Sequence, residues 1–289
     1  MAPDTAIAVF THRTFRYSSP LLFNDPFDIQ SGLHFDFDID DIHMKILNRL
    51  EELAKCDHLP DLDWTDPWAK VIKIVWENYP SYGFPRQRWL EQLAEKAGDL
   101  SLDKVIRQTR EDYANAWEKL LPTLRVFCVS EDRDNLLMWA HYAKDHTGVV
   151  AEVLSLPRED NPLSVARQIT YRDSPPPFYS EEEWLNDILL QKSLDHSTLF
   201  RKYAQTKSSQ WSYEKEWRVW YPSDPKTQSG LWVDMPIRKS ELKAVYFGCR
   251  TEEKFKHKLG NLISGAFPDA EMFRAEKLEG RYELGYKKI

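Results

Sequence analysis

Residues 211–220, WSYEKEWRVW, restrict the possible folds more than any other stretch of this chain. Read as a strand, with side chains alternating between two faces, Tyr213, Lys215, Trp217 and Val219 point one way. Glu214, Glu216, Arg218 and Trp220 then point the other way. Two carboxylates two positions apart on a strand lie about 6 to 7 Å apart on one face. Either that face is exposed and paired to Lys or Arg of a neighbour, or it overlooks a site. Trp211, Trp217 and Trp220 favour the site, because a solvated face seldom needs such rings around it. The expectation is a strand over 211–220 inside a mixed sheet, with Glu216 facing a concave surface.

A change of period sets the fold class. Over residues 38–122 the apolar positions recur with helical spacing. Ile39, Ile42, Ile46, Leu50 and Leu53 form one face, and Asp66 with Pro67 caps a helix carrying Trp68, Val71, Ile72, Val75 and Trp76. Pro85 opens a third helix that Gly98 ends, and Ser101 begins a fourth with Leu102, Val105, Ile106, Tyr113, Trp117 and Leu120. On either side are strand-like segments: TFRY, LRVFCVSE, VVAEVL, ARQITYRD, GLWVDMP and LKAVYFGCR. NLLMWAHYAKDHTG reads as a short helix ended by Gly148, residues 181–210 read as helical, and Thr251 is expected to cap a last helix. The chain reads as one α+β domain over 1–289 with a mixed β-sheet core and a helical insertion at 38–122.

Composition removes several function classes. With 39 basic and 46 acidic residues the net charge is -7, so no global basic field recruits nucleic acid, although a local basic groove is compatible with it. Cys56, Cys128 and Cys249 are scattered, which suits reduced thiols in a cytosol; Cys128 and Cys249 sit in apolar runs that suggest core packing. No leader pattern and no run of ~20 apolar residues is present, and the expected location is the cytoplasm, away from membranes. Aromatics make up 13% of the chain, enough that some rings are expected to line a cleft. His141 and His146 are five apart, off the spacing of a two-histidine metal site, and no metal is expected. In FNDPFD, Asn24, Asp25 and Asp28 either stabilise a turn or contact a substrate; Ser130, at a strand end, either caps the next helix or contacts a ligand. A metal-dependent nuclease built on Asp25, Asp28, His141 and Glu216 lacks tight metal spacing. No P-loop, GxGxxG or GxSxG motif appears.

Four motifs in order, SSPLLFNDPFD, FCVSEDRDNLLMWAHYAKDHTGVV, KSSQWSYEKEWRVW and KAVYFGC, resemble the bacterial family catalogued as domain of unknown function 2971. The layout is more distantly similar to ADP-ribosyltransferase-like toxins, whose late strand carries Glu-x-Glu, matched here by Glu214 and Glu216. That resemblance implies an ADP-ribosyltransferase-like fold, NAD as cofactor, a nucleic-acid or protein acceptor, and a role as a toxin or phage-defence effector. Glu216 would stabilise the oxocarbenium ion through the ribose 2′-hydroxyl, and Glu214 would orient or deprotonate the acceptor. Ser130, Arg16, Trp139, Tyr142, Trp211 and Arg218 would hold NAD, and Asn24, Asp25 and His141 the acceptor. Relatives carry an aromatic-rich strand ahead of DTAIAVF, so His12, Arg13 or Arg16 would take its role. Ala6–Phe10 is expected to be a short helix on the sheet, followed by TFRY as first strand. The alternative implied by the same resemblance is an inactive nucleotide- or partner-binding module.

Overall fold

A computed structural model of the chain describes residues 1–85, 87, 88, 102–190, 192, 196–224, 226, 228 and 230–289. The chain divides into two compact units, one made of Met1–Gln30, Leu120–Asp173 and Lys207–Ile289, the other of Ser31–Lys119 and Ser174–Thr206. Both α and β elements are present, as the change of period implies. The segment 38–122 falls mostly in the second unit, which also takes 174–206.

The first unit starts with α1 (Pro3–His12) and β1 (Thr14–Ser18). Helix α1 buries Ala6, Val9 and Phe10 and contains the short helix expected over Ala6–Phe10. It continues with β2 (Leu124–Ser130), helix Leu136–Tyr142, and β3 (Val149–Val153). The Asn135 side chain accepts hydrogen bonds from the Leu137 and Met138 amides and so starts that helix. The candidate strand ARQITYRD is broken into β4 (Arg167–Gln168) and β5 (Thr170–Arg172), with Ile169 buried between them. Then follow β6 (Thr206–Ser208), β7 (Glu216–Pro222), β8 (Trp232–Pro236), β9 (Leu242–Phe247), helix Glu253–Ala266, β10 (Glu271–Lys277) and β11 (Leu284–Lys288).

These strands make a five-stranded sheet in the order β4-β7-β2-β1-β8 and a four-stranded one in the order β11-β10-β9-β3. In the second sheet β9 and β10 run parallel, joined by helix Glu253–Ala266. Strand β9 is apolar on both faces because both are covered. Val245 and Phe247 join Ala6, Phe10, Leu259 and Ile263 in one core cluster, while Ala244 and Tyr246 join Trp139 and Ala143 in another. The five-stranded sheet differs on its two faces. On one, Phe127 stacks on Phe15 and Tyr17, with centroids 5.1 and 4.9 Å apart. The other carries Ser130 opposite Glu216 and Cys128 opposite Arg218 across the β2–β7 ladder.

The second unit holds α2 (Ile39–Ala54), α3 (Pro67–Tyr82), α4 (Leu102–Leu120), helix Glu181–Leu190 and helix His196–Ala204. Ile42, Ile46, Leu50 and Leu53 are buried as the helical period requires, and the Asp66 carboxylate caps α3. Many of the chain's aromatic rings are packed here, among them Phe35, Phe37, Trp117, Phe178, Trp184 and Tyr203. The helix expected from Pro85 to Gly98, and Ser101 at the start of the next, lie largely or wholly outside the described residues.

Two local readings are corrected. Residues 211–220 are not one strand: Ser209–Glu214 is a 3-10 helix, Lys215 takes a left-handed conformation (φ 44°), and the strand begins only at Glu216. Thr251 does not cap the following helix; its hydroxyl donates to the carbonyl oxygens of Thr147 and Gly148.

Gly248 is packed so tightly that a Cβ built on it would stand 2.0 Å from the His146 carbonyl oxygen. Gly248→Ala is expected to destabilise the protein by about 1 to 3 kcal/mol in urea unfolding, since backbone must move to admit the methyl. An unchanged midpoint would show that the 146–148 loop yields freely.

Candidate functional site

The break at Lys215 turns Glu214 and Glu216 toward a common point. Lys207, on β6, lies there: its ammonium donates to Glu214 Oε2 at 2.5 Å and Glu216 Oε2 at 3.0 Å, and stands 3.6 Å from Asp28 Oδ2. Arg218 completes the group. It donates from Nε to Glu216 Oε1 at 2.6 Å, and from Nη1 and Nη2 to the two Asp28 oxygens at 2.9 and 2.5 Å. All five side chains are buried, Glu216 to 4% exposure and Arg218 to 1%. The Tyr142 hydroxyl donates to Glu214 Oε1 at 2.7 Å, and the Glu216 amide donates to the Tyr171 hydroxyl at 2.8 Å.

Electrostatics follow from this packing. Burial alone would push the Glu216 carboxyl up, but the adjacent Arg218 guanidinium, its hydrogen bonds and Lys207 outweigh burial and hold it down at about 2. Burial opposes the charge on Lys207, and Glu216, Glu214 and Asp28 overcome it, so its ammonium is held more firmly than in water. The Tyr142 hydroxyl is raised, by burial first and by Glu214 second.

The residues named from sequence divide into three sets. Glu214, Glu216 and Arg218 form the cluster, with Tyr142 at its rim. Trp211 and His141 border it: the Lys207 ammonium lies 5.1 Å from the Trp211 ring centroid, and exposed His141 faces Tyr213 at 6.5 Å. Exposed Asn24 is close enough to Tyr142 to bond its hydroxyl. The third set is engaged in other ways. Ser130 and the backbone of Asp132 close a turn, the Ser130 hydroxyl accepting the Asp132 amide at 3.0 Å. Asp25 accepts the Phe27 amide at 2.9 Å, the turn-stabilising alternative for FNDPFD. Arg16 is exposed and pairs with Asp234 at 3.0 Å over the Trp232 ring.

Trp139 is a correction to the cofactor set. It is fully buried, its indole N–H donates to the Arg133 carbonyl at 2.8 Å, and its ring stacks on His146. Cys128 is a second: alternation places it on the polar sheet face, where it is exposed instead of in the core. Lys207 was missed altogether. It precedes its carboxylates by seven and nine residues, a spacing with no periodic meaning, and only the break at Lys215 brings them together.

Among the described residues no group of three or more His, Cys, Asp or Glu is arranged to hold a metal ion, and no helix is long and apolar enough to cross a membrane. Residues 138–219 match the family described as protein of unknown function (DUF2971). This span runs from the helix bearing Tyr142 to β7, so the cluster residues Lys207, Glu214, Glu216 and Arg218 lie inside it. No curated protein and no solved structure matches the chain.

Two outcomes test the cluster. Glu216 is held below its ordinary 4.5, so its share of stability is complete above that value and is lost as pH falls toward about 2. Unfolding free energy should drop over that interval, by roughly 3 kcal/mol for this one group, with thermal midpoints falling alongside, and Glu216→Gln should flatten the drop. Lys207→Met strands buried carboxylates and is expected to cost about 3 to 5 kcal/mol in denaturant unfolding. Lys215→Met, at an exposed pair with Asp132, should leave the midpoint unchanged. Equal effects at the two lysines would mean that burial of the cluster adds nothing.

Proposed function

We propose that the unit carrying Glu214 and Glu216 is a nucleotide- or partner-binding module, built like an ADP-ribosyltransferase and not working as one. One observation carries the reading: both carboxylates are already engaged. Glu216 meets Arg218 through both oxygens and Lys207 through one, and Glu214 meets Lys207 and Tyr142. A transferring carboxylate has to bond a ribose hydroxyl and offer negative charge to an oxocarbenium ion. Here two cations already balance that charge, and reaching a ribose would require dismantling buried ion pairs.

The cluster serves instead as a brace. It joins the loop bearing Asp28, strand β6, the 3-10 helix bearing Glu214, and β7. That fixes the rim, where Asn24, His141 and Tyr142 are exposed and Trp211 is half-buried. An aromatic and amide rim of this kind suits stacking on a nucleobase or a partner side chain.

The transferase reading keeps one specific support. Ser130, which the resemblance assigns to NAD, stands directly opposite Glu216 on the adjoining strand. Incubating the full chain with NAD separates the two. The binding reading expects calorimetric heat of NAD binding, weakened by Trp211→Ala, with nicotinamide release at background. Release by the wild type, abolished in Glu216→Gln at a temperature where circular dichroism shows that variant still folded, would establish the transferase instead.

A further inference from the structure

The second unit holds an open depression of about 690 Å³ lined by His34, Phe35, Asp36, Phe37, Asp38, Arg107 and Arg110. Its volume lies in the range of small-molecule pockets. Three features give it a chemical preference. Arg107 and Arg110 lie three residues apart on α4, so they share one helix face with about 4.5 Å of rise between them. Neither has an ion-pair partner among the described residues. The Arg110 guanidinium is carried over the Phe35 ring at 4.7 Å and stands 6.0 Å from that of Phe37, both rings being buried.

A guanidinium supported on an aromatic ring offers a flat cationic surface to a second planar group. The acidic lining is partly engaged: Asp36 accepts the Glu181 amide at the start of helix Glu181–Leu190. What is left to recruit a ligand is one stacking cation and one exposed cation beside it. We infer that this depression binds a nucleotide, the base lying on Arg110 and the phosphate on Arg107. An acidic peptide fits less well, because it would use Arg110 as a charge alone and gain nothing from the ring beneath it. The inference is independent of the carboxylate cluster, whose residues belong to the other unit, so either can fail alone.

The test uses the full chain and a short fluorescein-labelled single-stranded oligonucleotide at low salt, read by anisotropy. Binding is expected, and both Arg110→Ala and Arg110→Lys should weaken it about tenfold, since lysine keeps the charge but loses the flat face. Arg107→Ala should weaken it and also lower its salt dependence. Competition by AMP at concentrations comparable to the strand's own nucleotides would make the ligand a free nucleotide; competition only by unlabelled strand would make it a single-stranded nucleic acid. Three results would overturn the assignment: no binding by the wild type, Arg110→Lys binding as the wild type does, or polyglutamate competing as well as the strand.

Discussion

One ammonium group organises the site. Lys207 lies within salt-bridge distance of three buried carboxylates, and the bidentate Arg218–Asp28 pair closes the set. Three acids and two bases leave one formal negative charge in a place that excludes water. Such a group is tolerable only when every lone pair finds a donor, which is why Tyr142 donates to Glu214 as well. The arrangement tolerates little repair. Removing either cation leaves buried carboxylates uncompensated, so geometry around the cluster is fixed more firmly than apolar packing alone would fix it.

That rigidity is applied to one face of one sheet. The five-stranded sheet packs aromatic rings on its inner face and leaves polar groups on the other, where Cys128, Arg16, Asp234 and Trp232 are exposed. The four-stranded sheet has no such asymmetry, being covered on both faces by helices. On the binding reading proposed above, recognition falls to the polar face and its rim, with the four-stranded sheet as support.

Much of the secondary structure was legible because it rests on local chemistry. The Asp66 cap and the α2 stripe of Ile42, Ile46 and Leu50 follow from residue type and spacing. The pairing of Glu214 and Glu216 with a neighbouring Lys and Arg was open to inspection too, as one of two alternatives. What sequence could not reveal was burial of that pairing. Alternation assumes an unbroken strand, and a left-handed Lys215 carries no signature that distinguishes it from its neighbours. Once the strand is broken there, Glu214 leaves the ladder and Lys207 enters the problem. Trp139 failed for a different reason: an aromatic ring next to polar motifs looks the same whether it stacks on a ligand or on His146.

The cluster also sets a clock on synthesis. Asp28 and Arg218 are separated by 190 positions, and Lys207 comes almost as late. At ribosomal rates of about 5 to 20 residues per second, the early carboxylate waits on the order of 10 to 40 seconds before its partner exists. Until then the loop around Asp28 has no cation to hold it and can only remain hydrated. The brace of the first unit thus closes only once Arg218 has been made, after residues 31–119 of the other unit. A premature stop a few residues ahead of Arg218 would cost more than a strand: it would leave the beginning of the chain without its anchor.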